Sequence, residues 1–395
     1  MKILILTAYS PESFISGSSK SLLSLLNGII SKKVEVLVVS PIEHKLLYHE
    51  LDILGVRHET IYYRMASYPR LNSVLNKLLY FPRWLHIIRG YIVSTWKIRK
   101  LAKQYSPDII HTNTSAIPYG YFVARNLKIP HIWHVREYLE RDYGLKPIPS
   151  RKWLNRAISK SYSISITKDI ADYIKKTDNN RIIYNGIARS EDLHFEESKE
   201  NYFLYVGLLD EAKGIHDIID AYILFCKQRK YANTNTCKLI VVGDGKLHDE
   251  LQNKVILSGL ESVIIFMGGV ASDKVKTLMH KALALVVASK AEAFGRVTAE
   301  AMFAGCLVIG RNTAGTKEQF DNGLLFSQRE IGLRFSSINE LASLFNQIME
   351  NGVVTYFPMI KAAQDTVAHL YSEEQYVSAI YDFYKYVLHK NKILK

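Results

Sequence analysis

Short uninterrupted apolar runs recur along the chain, and between them lie longer stretches where apolar positions return every third or fourth residue. Ile3–Leu6 and Val34–Val39 have the first signature, that of a strand covered on both faces. Ser18–Ile30, between them, has the second, that of an amphipathic helix. Ile109–His111, His131–Val135, Ser163–Thr167 and Arg181–Tyr184 continue the series of strands. Strands that alternate with helices predict right-handed βαβ units and a mostly parallel sheet. The pattern restarts at Tyr202–Val206. Helical spacing follows over Ile215–Lys227, then strands at Lys238–Val242, Val263–Met267, Leu283–Ala288 and Leu307–Ile309. The two halves meet in the polar, acidic stretch Asn185–Lys199. The chain therefore reads as two α/β, Rossmann-like domains, residues 1–187 and 188–371. Residues 372–395 read as one long helix: Ser372 and Gln375 form a capping-box pattern, and Tyr376, Ile380, Phe383 and Val387 form an apolar stripe.

Composition adds little to this fold but narrows the partners. A chain of 395 residues exceeds what one core accommodates. The three cysteines, Cys226, Cys237 and Cys306, show no metal-ligand spacing and read as small buried hydrophobes in a reducing compartment. The opening MKILILTAYS lacks a cleavage site and reads as a first buried strand, and no apolar run is long enough to span a bilayer. A cytoplasmic location is expected. The net charge of +13 points to an anionic partner: nucleic acid, a phosphorylated substrate or an anionic membrane surface.

That charge is concentrated. No acidic residue occurs between Glu59 and Asp108, and nine basic residues from Arg64 to Lys103 alternate with aromatic and aliphatic ones such as Phe81, Trp84 and Trp96. Two compatible readings stand: helices that touch an anionic membrane surface, or helices whose apolar faces cover the sheet while the charges are solvated. No nucleic-acid-binding module is present, so nucleic acid is not expected as a partner.

The densest chemical signal is Ala288-Ser-Lys-Ala-Glu-Ala-Phe-Gly-Arg-Val-Thr-Ala-Glu-Ala-Met302. It follows a buried strand and opens a helix near Gly295. A helix start offers unpaired N–H groups and partial positive charge to a phosphate, and glycine lets the backbone come close to it. Glu292 lies in the loop and Glu300 in the helix, where a carboxylate suits a ribose diol. The alternative is that Glu292 merely favours the helix start and Glu300 is solvated.

This segment resembles the Glu-x7-Glu motif of the large retaining glycosyltransferase family of GT-B fold, family 4. The other pieces that carry the resemblance are Trp133-His-Val-Arg-Glu-Tyr138, Ile183-Tyr-Asn-Gly-Ile187, Tyr205-Val-Gly-Leu-Leu-Asp-Glu-Ala-Lys-Gly214 and Val241-Val-Gly-Asp-Gly245, so that it covers nearly the whole chain. It implies two parallel-sheet domains facing across a cleft, with a nucleotide diphosphate sugar held mainly by the second domain, the acceptor by the first, and the final helix returning to the first. It implies catalytic roles for His134 against the donor sugar, Lys213 against the diphosphate, and Glu292. It implies donor contacts for Gly17, Ser18, Arg136, Gly207, Gly243, Asp244, Gly245, Phe294, Gly295, Arg296, Val297 and Glu300. Two departures matter. The family usually has arginine after the strand glycine, where this chain has Leu208, leaving Arg136 or Arg296 as candidate substitutes; and Ser18 stands where a second glycine is usual. No Asp-x-Asp occurs, so neither a metal nor another cofactor is expected. The basic, aromatic first domain suits a saccharide or lipid-linked saccharide acceptor in cell-surface polysaccharide synthesis. Other readings are a nucleotide-sugar 2-epimerase on the same fold, a non-catalytic nucleotide-sugar binder, and, on charge alone, a nucleic-acid binder.

Overall fold

The computed structural model describes residues 1–8, 16–69, 73–228 and 237–393, with the side chain of His86 outside the description. The chain divides into two compact units: Met1–Gly186 together with Glu373–Lys395, and Ile187–Ser372.

The first unit contains β1 (Lys2–Leu6), β2 (Glu35–Ser40), β3 (Arg57–Thr60), β4 (Ser67–Pro69), β5 (Ile109–Thr112), β6 (His131–Val135), β7 (Leu145–Pro147), β8 (Tyr162–Ser165) and β9 (Asn180–Ile182). Seven of these form one sheet in the order β3-β2-β1-β5-β6-β8-β9, with every pairing parallel. Leu4 of β1 lies between Leu37 of β2 and Ile110 of β5, and all three are fully buried. Helices cover both faces of such strands, which is why they read as unbroken apolar runs. β3 has the sequence Arg-His-Glu-Thr and does not announce itself by pattern. It is an edge strand, paired on one side only, where exposed charge discourages further pairing. β4 and β7 make a separate antiparallel ribbon.

The helix Gly17–Ile30 begins one residue before its expected start and is capped by Ser16, whose side chain accepts from the Ser19 amide. Gly17 and Ser18 are thus in its first turn. The helix Glu373–Ile393 packs on it within the first unit, burying Tyr376, Val377, Ile380, Phe383, Tyr384 and Val387 with Leu22, Leu25, Leu26 and Ile29. Close approach requires Gly28, where a Cβ would come within 2.6 Å of the Val377 side chain.

The helix Tyr80–Tyr105 buries Ile87, Ser94, Ile98, Ala102 and Tyr105. Its other face carries Phe81, Leu85, Ile92 and Trp96, which are 62%, 49%, 70% and 60% exposed. These four fall at helical spacing on one side, a side with no partner among the described residues. The shorter helix before it, Val74–Leu78, exposes Val74, Leu75 and Leu78 as well. Among the described residues no helix is long and apolar enough to cross a membrane.

The second unit contains β10 (Tyr202–Val206), β11 (Lys238–Val242), β12 (Ile264–Gly268), β13 (Ala284–Val287), β14 (Leu307–Arg311) and β15 (Leu333–Phe335). They form one parallel sheet in the order β12-β11-β10-β13-β14-β15. Its core is built around Phe203, Tyr222, Phe225 and Phe345, whose rings contact one another. Cys237 and Cys306 are buried, Cys226 is half-buried, and none of the three is in a disulfide. In both sheets the strand order reverses beside the first strand, between β1 and β5 and between β10 and β13. In open parallel sheets such a switch point opens a crevice outside the carboxyl ends of the strands, where ligands bind. The two parallel α/β units make this a GT-B fold.

Candidate active site

In the second unit the loops that leave β10, β11 and β13 interlock by backbone contact. Gly243, after β11, has φ +128°, and a Cβ there would lie 1.9 Å from the Gly207 carbonyl oxygen after β10. Gly214 has φ +67°, and a Cβ would lie 2.3 Å from the Ala288 carbonyl oxygen after β13. No side chain fits either place, so these glycines are demanded by loop packing whatever else they do. Hydrogen bonds close the arrangement: Leu209 N–H donates to Asp244 O at 3.0 Å, and Lys290 N–H donates to Ala212 O at 3.1 Å. The Asp244 carboxylate accepts from the Gly269 amide at 3.0 Å and is otherwise exposed, as is Gly245.

Lys213 ends a single 3-10 turn, Glu211–Lys213, capped by the Asp210 side chain, which accepts from Ala212 N–H at 2.7 Å. Its Nζ lies 3.1 Å from Glu292 Oε1. Lys213 is 32% and Glu292 20% exposed at the side chain, so the pair is partly screened. The second Glu292 oxygen, Oε2, is buried without a hydrogen-bond partner among the described residues. A buried carboxylate oxygen left in this state is an acceptor awaiting a donor such as a hydroxyl.

Gly295 caps the helix Arg296–Phe303 in the left-handed conformation, φ +82°. The loop before it is held from behind. Gln319 Nε2 donates to the carbonyls of Phe294 at 2.5 Å and Gly295 at 3.1 Å, and Gly315 N–H donates to Glu292 O at 2.9 Å. Phe294 is buried edge-to-face against Tyr371, ring centres 5.5 Å apart. Arg311 donates through Nε to Ala288 O at 3.1 Å while Nη2 pairs with Asp217. Gln319, Gly315, Arg311 and Asp217 carry no motif; their role appears only once the loops are placed. Arg296 and Glu300 form a pair one turn apart, Nε to Oε1 3.4 Å, and Val297 between them is half-buried. Leu208 is 57% exposed.

The structure thus brings Lys213, Glu292, Phe294 and Gly295 together on adjoining loops, with Arg296, Val297 and Glu300 on the helix that follows and Gly207, Gly243, Asp244 and Gly245 on the loops beside them. A lysine ammonium and a helix start converge here, a combination that favours a diphosphate.

His134 and Arg136 belong to the first unit and have a different setting. His134, at the end of β6, is fully buried, and Arg136 is 7% exposed. Arg136 donates from all three nitrogens: Nε to Asn113 Oδ1 at 2.9 Å, Nη1 to Asn185 Oδ1 at 2.6 Å, and Nη2 to Tyr376 Oη at 2.8 Å and His134 Nδ1 at 3.3 Å. Its guanidinium ties β5, β6, the segment after β9 and the C-terminal helix together. For Arg136 to stand in for the missing phosphate cation, a phosphate would have to displace partners that satisfy a buried charge.

The same bonds assign the tautomers. Arginine only donates, so His134 Nδ1 is an acceptor and its proton sits on Nε2. His111 Nε2, 3.2 Å from His134 Nδ1, must then donate, and His111 Nδ1 accepts from the Tyr384 hydroxyl at 2.5 Å. Burial, then the charge of Arg136, lowers the His111 pKa to about 3. The same causes hold His134 well below the usual histidine range. His134 is therefore a neutral donor, with its Nε2–H unpartnered among the described residues. Glu137 next to it is buried and accepts from Thr114 Oγ1 at 2.6 Å and from Ser115 N–H and Oγ at 2.7 and 2.8 Å; burial raises its pKa.

Comparison with known proteins identifies the family. Residues 189–366 match the model of the glycosyl transferases group 1, and residues 15–191 match that of glycosyltransferase family 4. The chain is 30% identical over 258 residues to an uncharacterised glycosyltransferase of Methanocaldococcus jannaschii, covering 62% of this chain and 69% of that one. It is 24% identical over 263 residues to the Campylobacter jejuni GalNAc-alpha-(1->4)-GalNAc-alpha-(1->3)-diNAcBac-PP-undecaprenol alpha-1,4-N-acetyl-D-galactosaminyltransferase, covering 65% of this chain and 69% of the relative. Its fold is similar to the crystal structure of Anabaena Alr3699/HepE in complex with UDP, at TM-score 0.74 and 19% identity, covering 97% of this chain and 99% of that one. The protein belongs to the group 1 glycosyltransferases of GT-B fold.

Proposed function

We propose that this glycosyltransferase moves a hexosyl unit from a nucleoside diphosphate sugar to a saccharide or lipid-linked saccharide, with retention at the anomeric carbon and without a metal ion, in cell-surface polysaccharide assembly. The observation that carries this reading is the Lys213–Glu292 pair beside the Gly295 helix start, on loops at the switch point of a parallel sheet.

The chemistry follows from charge. The bond from the anomeric carbon to the diphosphate breaks, and its electron pair leaves on the phosphate oxygen. Lys213 and the amides at the start of Arg296–Phe303 meet that growing charge, so the reaction needs no general acid. The acceptor hydroxyl oxygen bonds to the anomeric carbon, and its proton leaves on the released diphosphate. Glu292 Oε2 accepts a hydrogen bond from a sugar hydroxyl, and Glu300 takes the ribose diol once the ligand draws Arg296 towards phosphate. Neutral His134, whose Nδ1 already accepts, offers Nε2–H as a hydrogen-bond donor rather than acting as a base.

The apolar face of Tyr80–Tyr105, set among basic residues with no acid from Glu59 to Asp108, lies on an anionic membrane surface at the cytoplasmic side. The Campylobacter relative's printed acceptor, a saccharide on undecaprenyl diphosphate, supports a lipid-linked acceptor here.

The test is a stability screen against nucleoside diphosphate sugars, since a ligand that binds only the folded state raises the melting temperature, followed by turnover on lipid extracts with and without EDTA. Transfer unaffected by EDTA is expected. An epimerised donor formed without acceptor would assign the site to a 2-epimerase. Donor binding with no turnover on any acceptor would assign it to a non-catalytic binder, the reading that the exposed Leu208 favours.

A further inference from the structure

The first unit contains a cleft of about 740 Å³ that the donor site does not use. It lies where the chain leaves β2 and β3 and runs against the helix Tyr80–Tyr105. Pro41, Ile42, Met65, Pro82, Ile87 and Ile117 give it an apolar lining. Arg64 and Arg83 are its only charged lining residues among those described, and no carboxylate joins them. Its size falls within the ~300–1,000 Å³ of pockets that enclose a small organic ligand.

The two arginines decide the occupant. Arg64 Nε donates to the Tyr62 hydroxyl, and Arg83 Nη1 donates to Asn76 Oδ1 at 3.1 Å. Both recorded partners are neutral oxygens, and each guanidinium carries five N–H donors in a fork that matches phosphate. A neutral glycolipid would make no use of the two guanidinium groups, of which Arg64 is exposed and Arg83 half-buried. A free saccharide would meet hydroxyls only at Tyr62, Tyr63 and Ser67 and would otherwise lie against proline, isoleucine and methionine, where its own hydroxyls are poorly matched. A molecule with hydrocarbon at one end and two adjacent phosphates at the other satisfies both parts of the lining. The route to it is also present: Pro82, Arg83 and Ile87 belong to the helix that exposes Phe81, Leu85, Ile92 and Trp96, so the lipid passes from the bilayer along one element.

We infer that this cleft holds the diphosphate and the adjoining isoprenoid segment of a polyprenyl diphosphate-linked acceptor. The inference rests on the transferase reading for its purpose, but its binding test does not.

Farnesyl diphosphate is the probe, titrated calorimetrically into the full-length protein with saturating UDP or GDP present to occupy the donor site. Saturable binding is expected, with inorganic pyrophosphate, farnesol and dioleoylglycerol each weaker. The double variant Arg64→Ala, Arg83→Ala and the filling variant Ile42→Trp should each bind about tenfold more weakly or worse, with melting temperatures near wild type. Should one variant fail to fold, the other and the ligand series still decide. No saturable binding, equal binding by the wild type and a folded variant, equal binding of farnesol or dioleoylglycerol, or complete displacement of farnesyl diphosphate by the nucleotide would each overturn the assignment. Failure of every nucleoside diphosphate sugar to bind would instead remove the transferase reading and leave the cleft result standing.

Discussion

The carboxyl ends of the two sheets hold their charges in opposite ways. In the first unit Arg136, His134, His111 and Glu137 are buried, cross-linked by neutral partners and shifted towards their uncharged forms where they titrate. In the second, Lys213, Glu292, Arg296 and Glu300 are partly exposed and held as ion pairs on loops locked by backbone contact. A buried network keeps a shape; a half-exposed ion pair can trade a partner for a ligand at small cost, because water already screens it. On the proposed function, charge exchange falls to the second unit and geometry to the first.

The strongest way to break this contrast is Lys213→Ala. Removing one preorganised donor from a developing oxyanion costs about 10²–10³ in turnover, roughly 3–4 kcal/mol. We expect kcat to fall by about that much, with binding of the nucleoside diphosphate sugar weakened less, because Lys213 faces a charge that grows during the reaction. Steady-state kinetics on the folded variant checks it. Wild-type kcat would mean that the diphosphate lies elsewhere.

Acid sharpens the other half of the comparison. A histidine at about pKa 6.5 when unfolded and about 3 in the fold, as for His111, binds a proton more readily in the unfolded chain. The stability it contributes is complete above the unfolded value and is lost as pH falls from 6.5 towards 3. At pH 5 the loss is about 2 kcal/mol for this one group, at ~1.36 kcal/mol per pH unit. His134 and His131 are lowered by burial as well and add to it. Urea unfolding at pH 7.5 and 5 should show that loss, and His111→Asn should flatten the slope. A wild-type stability equal at the two pH values would show that these histidines are not held neutral by the fold.

Much of this architecture is legible in the sequence, and the exceptions have physical causes. Buried parallel strands such as β1, β5 and β13 are apolar on both faces and stand out; the edge strand β3, with nothing to bury, does not. The loop Glu292–Gly295 is legible because glycine, aromatic and carboxylate recur at a spacing that the resemblance explains. Its support from Gln319, Gly315 and Arg311 is not, because each of those residues bonds to a carbonyl 23 or more positions away and only the fold brings them near. The same holds for Arg136: nothing local to Trp133–Tyr138 tells that Asn185 and Tyr376 claim its guanidinium. Residues 9–15 and 70–72, which include the basic residue Arg70, lie outside the described residues.

The smallest expected effect comes from Leu208→Arg, and it asks whether the second unit already has all the cations its ligand needs. The backbone at 208 does not depend on its side chain. Its carbonyl accepts from the Tyr205 hydroxyl at 2.8 Å, and the next amide donates to Asp244 O at 3.0 Å. The Leu208 side chain is 57% exposed, so arginine enters without repacking the core, and burial of the leucine contributes little that could be lost. What changes is one guanidinium beside the Lys213 loop. A charge-assisted hydrogen bond to phosphate that remains open to water is worth about 1 kcal/mol net, near fivefold in Kd. Calorimetry with UDP or GDP should show tighter binding by about that factor and a steeper loss of affinity with added salt, because the new contribution is electrostatic. Unchanged affinity and unchanged salt dependence would mean that position 208 does not face the diphosphate, and that the departure from the usual arginine carries no cost in this protein.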